Sequence, residues 1–349
     1  MSRGDIVAFA LIFVVAFGLA FALTPLAGRL GLRWGVVDRP GGRHMHGRTV
    51  PRLGGLALYP AFILPLFLTL VLPADWFPPR QDPNELTRLA GVMLGSTFIF
   101  LVGLCDDRWN LGPFVQLFGQ LLAALIAIAF LVFIERVMNP FTDQLTVFPL
   151  PFTVAFTLFW IVGMVNTVNW LDGLDGLAAG VTAIVSGVLA FHMYREGQQS
   201  VALLPLALLG CTLGFLPYNF HPARVFMGSS GALFLGFAVG TLSIVAGAKM
   251  ATVLLVMGIP IVDVAWQIFN RLRHGRSSFQ GDRGHLHFRL LDMGLSQRQI
   301  VSLFYVFCAA FGLLALVISS RLYKFFALVI LGALTALILF LLSGNEPEG

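Results

Sequence analysis

Long apolar runs broken by short polar interruptions set the pattern of the whole chain. Crossing the hydrocarbon of a bilayer takes about 20 mostly apolar residues. Eleven runs qualify, at about 5–27, 54–73, 89–105, 114–134, 151–168, 175–194, 200–218, 231–247, 250–269, 300–319 and 323–343. This pattern predicts an all-α, polytopic integral membrane protein, a single domain over residues 1–349. The first run, Ile6 to Leu23, is longer than the apolar core of a secretory signal and is followed by Arg29 and Arg33, so it reads as an uncleaved span. Composition agrees: 58% of residues are hydrophobic and 11% charged, against about 45–50% and about 25% in soluble domains.

The charged residues give the chain a direction. With the N-terminus outside, fourteen of the 22 Lys and Arg residues fall in inner loops and eight outside. That is the bias of a positive-inside protein with a cytoplasmic C-terminus. The net charge of +5 is spread over short loops between spans, which suits membrane lipids and phosphorylated substrates and argues against nucleic acid. Cys105, Cys211 and Cys308 lie in or at the ends of spans and offer no disulfide framework. In this orientation the motif-like polar stretches, at about 28–53, 105–113, 166–176, 219–230 and 270–298, all face the cytoplasm. One active site built from five loops is the simplest account, with a transport pathway as the rival.

The residues in those loops suit phosphate chemistry. Asp106 and Asp107 are adjacent at the end of the third run, and on a helix they diverge by about 100°, so one can hold a cation while the other accepts a proton. Such a pair suits Mg²⁺, with Mn²⁺ as a possible substitute, because Mg²⁺ takes one or two carboxylates plus phosphate oxygens. The run Asn166-Thr-Val-Asn169-Trp-Leu-Asp172-Gly-Leu-Asp175-Gly176 adds two amides and two carboxylates. Asn169, Asp172 and Asp175 recur at intervals of three, and Gly173 and Gly176 allow close approach of backbone to a ligand. Asp175 also has a simpler reading as the N-cap of the sixth span. Arg43, His46 and Arg52 in the first loop can serve as phosphate ligands or as positive-inside anchors. In the last loop His285 and His287, two apart, can face the same way on an extended segment and meet phosphate, sugar or metal. No Cys lies near enough to suggest zinc. Asp263 sits inside the ninth run, where an ionisable residue serves either function or a buried structural pairing.

Taken together, Asp38-Arg39-Pro40, Val50-Pro51-Arg52-Leu53-Gly54-Gly55, Asp106-Asp107, Asn166 to Gly180, Val225-Phe226-Met227-Gly228, Pro260-Ile261-Val262-Asp263 and His285-Leu286-His287 resemble the polyprenyl-phosphate N-acetylhexosamine-1-phosphate transferases. The Pro51 to Gly55 and His-Leu-His elements resemble the branch using UDP-N-acetylglucosamine. The resemblance implies a UDP-sugar donor, undecaprenyl phosphate or a relative as acceptor, Mg²⁺, UMP as product, and a possible homodimer. It further implies that Asp106 orients or deprotonates the acceptor and that Asp107 works near the metal. Asn169 and Asp172 would lie close to the phosphates and metal. Gly173, Leu174, Asp175 and a stacking Phe226 would form the uracil pocket, and His285 and His287 would contact the sugar-phosphate end. Three positions depart from the family pattern: Ser229 stands where a metal-binding aspartate is usual, Phe288 replaces a histidine, and His44 replaces a lysine. With Ser229, the metal would rest on Asp106, Asp107 and Asp172. A catalytically inactive homologue that binds lipid phosphate or partners is the alternative reading of those departures.

Overall fold

The computed structural model describes residues 3–39, 49–247, 250–273 and 284–343. Thirteen helices follow one another: α1 (Arg3–Trp34), α2 (Gly55–Val71), α3 (Glu85–Trp109), α4 (Pro113–Ala129), α5 (Leu150–Leu171), α6 (Leu177–Arg195), α7 (Gln199–Asn219), α8 (Gly228–Val245), α9 (Met250–Val256), α10 (Gly258–Arg273), α11 (Leu286–Asp292), α12 (Gln297–Val317) and α13 (Arg321–Ser343). Two small antiparallel hairpins interrupt the all-α expectation. Strands β1 (Val37–Asp38) and β2 (Val50–Pro51) flank the first polar loop, and β3 (Arg136–Met138) and β4 (Leu145–Val147) form a ribbon between α4 and α5.

All eleven predicted runs are helical, but they are not eleven equal spans. Eight helices among the described residues are long and apolar enough to cross a membrane, and a ninth crossing arises if α9 and α10, bent by 81° at Met257, are one broken span. Helices α2 and α4 have 17 residues each, at the short limit for the hydrocarbon. Apolarity alone registered these as full spans because it is blind to where a helix bends or stops. The stops are local chemistry. Asn110 ends α3 in the left-handed region, φ 48, which Asn tolerates better than most residues. Pro113 starts α4 in the first turn, where its missing N–H costs nothing.

Helix α8 is the hub. Every residue from Ser230 to Val245 is buried, and α3, α5 and α2 pack along it. Glycines make this packing close, as in membrane helix pairs held by van der Waals contact rather than a hydrophobic drive. A Cβ on Gly103 of α3 would lie 2.5 Å from Ser230 Cα of α8, and one on Gly236 of α8 would lie 2.6 Å from Val165 Cα of α5. On α6, the Tyr305 ring from α12 fills the place of a side chain at Gly180, only 2.0 Å from where a Cβ would stand. Its hydroxyl donates to the Gly176 carbonyl at 2.5 Å. At the opposite end of the bundle from the five polar loops, buried Glu85 accepts from Ser200 Oγ at 2.9 Å and pairs with Arg80 at 3.8 Å.

Packing of this kind predicts that Gly103→Ala destabilises the protein by about 1–3 kcal/mol, the usual cost of overfilling a packed site. Gly163→Ala, on an open face of α5 with nothing within 4 Å, leaves thermal unfolding in detergent unchanged or slightly later.

Candidate active site

The Asp107 carboxylate holds the start of α8. Its Oδ1 accepts from the Ser229 N–H at 2.8 Å and from Arg52 Nη2 at 3.2 Å. Its Oδ2 accepts from the Ser230 N–H at 3.0 Å and from Ser230 Oγ at 2.5 Å. A carboxylate has about four acceptor sites, and all four are used. The amides it takes are orphan donors at a helix N-terminus, where a negative charge is favoured. Gly228 makes the approach possible: at φ +69, any Cβ would meet the Arg52 carbonyl at 2.4 Å and Asp107 Oδ1 at 2.7 Å. The segment after β2 is laced to the same place, since Phe226 N–H donates to the Pro51 carbonyl and Gly54 N–H to the Phe226 carbonyl, both at 2.9 Å.

Asp106 diverges from its neighbour, as the helical turn requires. It is buried, and its Oδ1 accepts from Gln116 Nε2 of α4 at 2.8 Å. One turn further along α4, Gln120 pairs with Asn166, whose Nδ2 donates to Gln120 Oε1 at 2.8 Å. Asn166 is therefore a tie between α4 and α5. Asn169, one turn on, accepts or donates no hydrogen bond among the described residues and is partly exposed.

Asp172 follows the last residue of α5. No donor among the described residues reaches its carboxylate. Burial pushes its pKa well above the ordinary aspartate range; Asp107 adds to the shift, Arg52 opposes it, and Asp175 adds again. Leu174 is buried in the core. Asp175 is not the N-cap of α6. That place belongs to Gly176 at φ 82, and Asp175 instead reaches across to the loop between α7 and α8. There its Oδ2 meets His221 Nδ1 at 2.8 Å and the Ala223 N–H at 3.0 Å. That loop carries Phe226, which is half-buried and keeps an accessible side.

The last loop docks on the same run. The His285 ring lies 5.6 Å from Trp170, and the Arg271 guanidinium stands over the same tryptophan, 5.9 Å from its ring centroid. His287 packs against Gly173 so closely that a Cβ there would sit 2.5 Å from Nε2. The two imidazoles are parallel, 5.7 Å apart. His287 Nε2 is sealed and unpartnered, and burial, reinforced by His285, pushes its pKa down to about 3. Arg52, Asp107, Ser229, Asp172, Gly173, Asp175, Phe226, His285 and His287 thus form one connected cluster, with Asp106 facing α4 beside it. Arg43 and His46 lie outside the described residues.

A family model described as Glycosyl transferase family 4 matches residues 89–247. The chain is 29% identical over 315 residues to a probable undecaprenyl-phosphate N-acetylglucosaminyl 1-phosphate transferase of Bacillus subtilis, covering 88% of this chain and 84% of that protein. It is 32% identical over 338 residues to the decaprenyl-phosphate N-acetylglucosaminephosphotransferase of Mycobacterium leprae, covering 87% and 82%. It is 32% identical over 326 residues to a phospho-N-acetylmuramoyl-pentapeptide-transferase of Anoxybacillus flavithermus, covering 88% and 95%. This chain belongs to the polyprenyl-phosphate N-acetylhexosamine-1-phosphate transferase family.

The divalent cation that the family resemblance implies would need ligands in the cluster. Among the described residues no three His, Cys, Asp or Glu side chains form a ready metal cluster. Asp107 has no acceptor site to spare. Asp172, with no donor and two acidic neighbours, fits a hard cation that arrives with phosphate oxygens. The second oxygen of Asp106 is likewise uncommitted. Sequence reasoning missed Gln116, Gln120, Ser230 and His221, which hold these carboxylates in place. Two Gln four apart in an otherwise apolar α4 were the available signal.

A charge held in the fold without a partner predicts a separable effect. Because Asp172 binds its proton more tightly folded than unfolded, its penalty grows as pH rises above about 3.8, the ordinary aspartate value. Asp172→Asn therefore raises the melting temperature, by more at pH 8 than at pH 5, while cutting activity about 100-fold or more, the usual cost of removing a charge aimed at the reacting centre. His287 has the opposite sense: it stays neutral when folded, so stability is full above about 6.5 and is lost as pH falls toward 3. His287→Gln flattens that acid limb in a pH series of thermal melts.

Proposed function

We propose that this protein transfers N-acetylglucosamine-1-phosphate from UDP-N-acetylglucosamine to undecaprenyl phosphate or a similar polyprenyl phosphate, at the cytoplasmic face of the inner or plasma membrane. The N-terminus lies outside and the C-terminus inside in this reading, as the positive-inside bias favours. The carrying observation is Asp172, a donorless carboxylate among Asp107, Asp175 and Arg52, next to the loop that bears His285 and His287.

An oxygen of the acceptor phosphate attacks the β-phosphorus of the donor. A new P–O bond forms as the bond from that phosphorus to the α,β-bridging oxygen breaks, and UMP departs with the oxygen and its electron pair. The acceptor is already anionic near neutral pH, so alignment and charge neutralisation carry most of the work. Asp106, steadied by Gln116, orients the acceptor phosphate. The uracil stacks on Phe226, and Asp175 supports that pocket by holding the loop at His221 and Ala223. His285, through the unsealed Nε2 of an otherwise buried ring, meets the sugar-phosphate end, and the buried, neutral His287 backs that ring. Asp172 and the uncommitted oxygen of Asp106 would hold Mg²⁺, which would supply charge neutralisation for the transfer. Asp107 keeps its four donors and acts as the keystone that places Arg52. The family names among the relatives, and the Pro51 to Gly55 and His285 to His287 elements, support N-acetylglucosamine over muramoyl-pentapeptide.

Purified protein with UDP-N-acetylglucosamine, undecaprenyl phosphate and Mg²⁺ releases UMP stoichiometrically with lipid-linked pyrophosphoryl sugar, and a chelator stops it. Asp106→Asn lowers the rate about 100-fold or more, as loss of a positioned catalytic group does. No UMP from any of a panel of UDP-sugars, including UDP-N-acetylmuramoyl-pentapeptide, overturns the reading and leaves Ser229 as the mark of an inactive homologue.

A further inference from the structure

A carboxylate inside a membrane helix is costly unless it is paired, and such groups mark function. Asp263 lies in α10, just past the 81° break from α9, and is buried. Both of its oxygens are spent on one target, the loop that carries the histidines. Oδ2 meets His285 Nδ1 at 2.9 Å, and Oδ1 accepts the N–H of Leu286, also at 2.9 Å. Twenty-two residues separate the partners, so the contact fixes a late loop onto the bent pair.

This bidentate grip sets two things. A carboxylate at Nδ1 requires a proton there, so it fixes the tautomer and leaves Nε2 as the nitrogen free to act. The Leu286 bond holds the backbone at the first turn of α11, which prevents the ring from rotating away with its loop. The neighbours narrow the ring's choices further, since Trp170 and the parallel His287 ring both lie against it, 5.6 and 5.7 Å away. His285 Nε2 has no partner among the described residues, and it is not sealed as His287 Nε2 is. Gln267, one turn along α10 from Asp263, donates to the Gly284 carbonyl, and Arg289 Nε donates to the same carbonyl at 2.6 Å. The loop is therefore secured independently of Asp263, which makes the Asp263 contact separable from simple folding.

We propose that Asp263 is a positioning residue for the transfer: through Nδ1 it holds His285 in the tautomer and orientation that aim Nε2 at the phosphate end of the donor. Asp263 itself touches no substrate. The inference rests on the proposed transferase reading for its kinetic consequence, but its structural core stands apart from it.

Two measurements test it on the full-length protein. In the first, ¹⁵N-histidine spectra of detergent-solubilised protein, with His285 assigned by comparison with His285→Gln, report which ring nitrogen carries the proton. Wild type is expected to show His285 protonated at Nδ1, and Asp263→Asn to lose that preference while the melting temperature stays within a few degrees. An unchanged His285 signal in Asp263→Asn overturns the proposal whether or not the protein turns over. In the second, Asp263→Asn is expected to lower kcat at least tenfold with KM for the UDP-sugar within threefold, and to add nothing further in a His285→Gln background. Losses that multiply in the double variant mean that Asp263 acts other than through His285, and also overturn it. Absence of UMP from wild type refutes the transferase reading alone, and the spectra then decide the positioning role.

Discussion

The polar end of the bundle depends on one arrangement, the Asp107 carboxylate seated on the first amides of α8. A helix this buried cannot leave its N-terminal donors bare, because unsatisfied amides away from water cost about 1–3 kcal/mol each. Asp107 satisfies two of them and a serine hydroxyl, and it adds the guanidinium of Arg52. In one contact α3, the segment leading into α2 and the hub helix are brought to a common point. The glycines at 103, 55 and 228 are the steric side of the same contact, since each removes a side chain where backbone or carboxylate must pass.

With Asp107 consumed in this way, the remaining carboxylates divide into satisfied and unsatisfied. Asp106, Asp175 and Asp263 each have a named donor, and Asp172 has none. A protein that partners most of its buried acids and leaves one exposed to repulsion has concentrated its electrostatic cost in a single place. Catalytic sites are the usual location of such a cost, because a charged ligand relieves it on binding. In the proposed reading, a cation arriving with its phosphates would relieve that cost at Asp172.

Much of this was legible in the chain. The eleven apolar runs marked every long helix, because burial in lipid demands apolarity wherever the backbone is helical. Counting spans put the five polar loops on one face, and Arg52 meets Asp107, Gly173 meets His287 and Trp170 meets His285 across those loops. What stayed hidden was pairing. Hydropathy could not show that α9 and α10 bend apart, nor that α2 and α4 are short. Local capping rules placed Asp175 on α6, whereas a tertiary partner, His221, claimed it. The roles of Gln116 and Gln120 depend on which helix face meets α3 and α5, and no periodicity in the sequence decides that. Arg43 and His46 fall outside the described residues, so the first loop's share of the site stands on sequence alone.

Tyr305 carries a last implication. Its hydroxyl grips the Gly176 carbonyl in the middle of the chain, yet it belongs to α12, close to the end. The histidines come only shortly before it. A nascent chain emerging from the ribosome can therefore insert α1 to α8 and form the Asp107 keystone while the reactive cluster is still open and its turn unclamped. The clamp on the turn at Gly176 thus comes from a helix that follows the whole Asp107 scaffold in the chain.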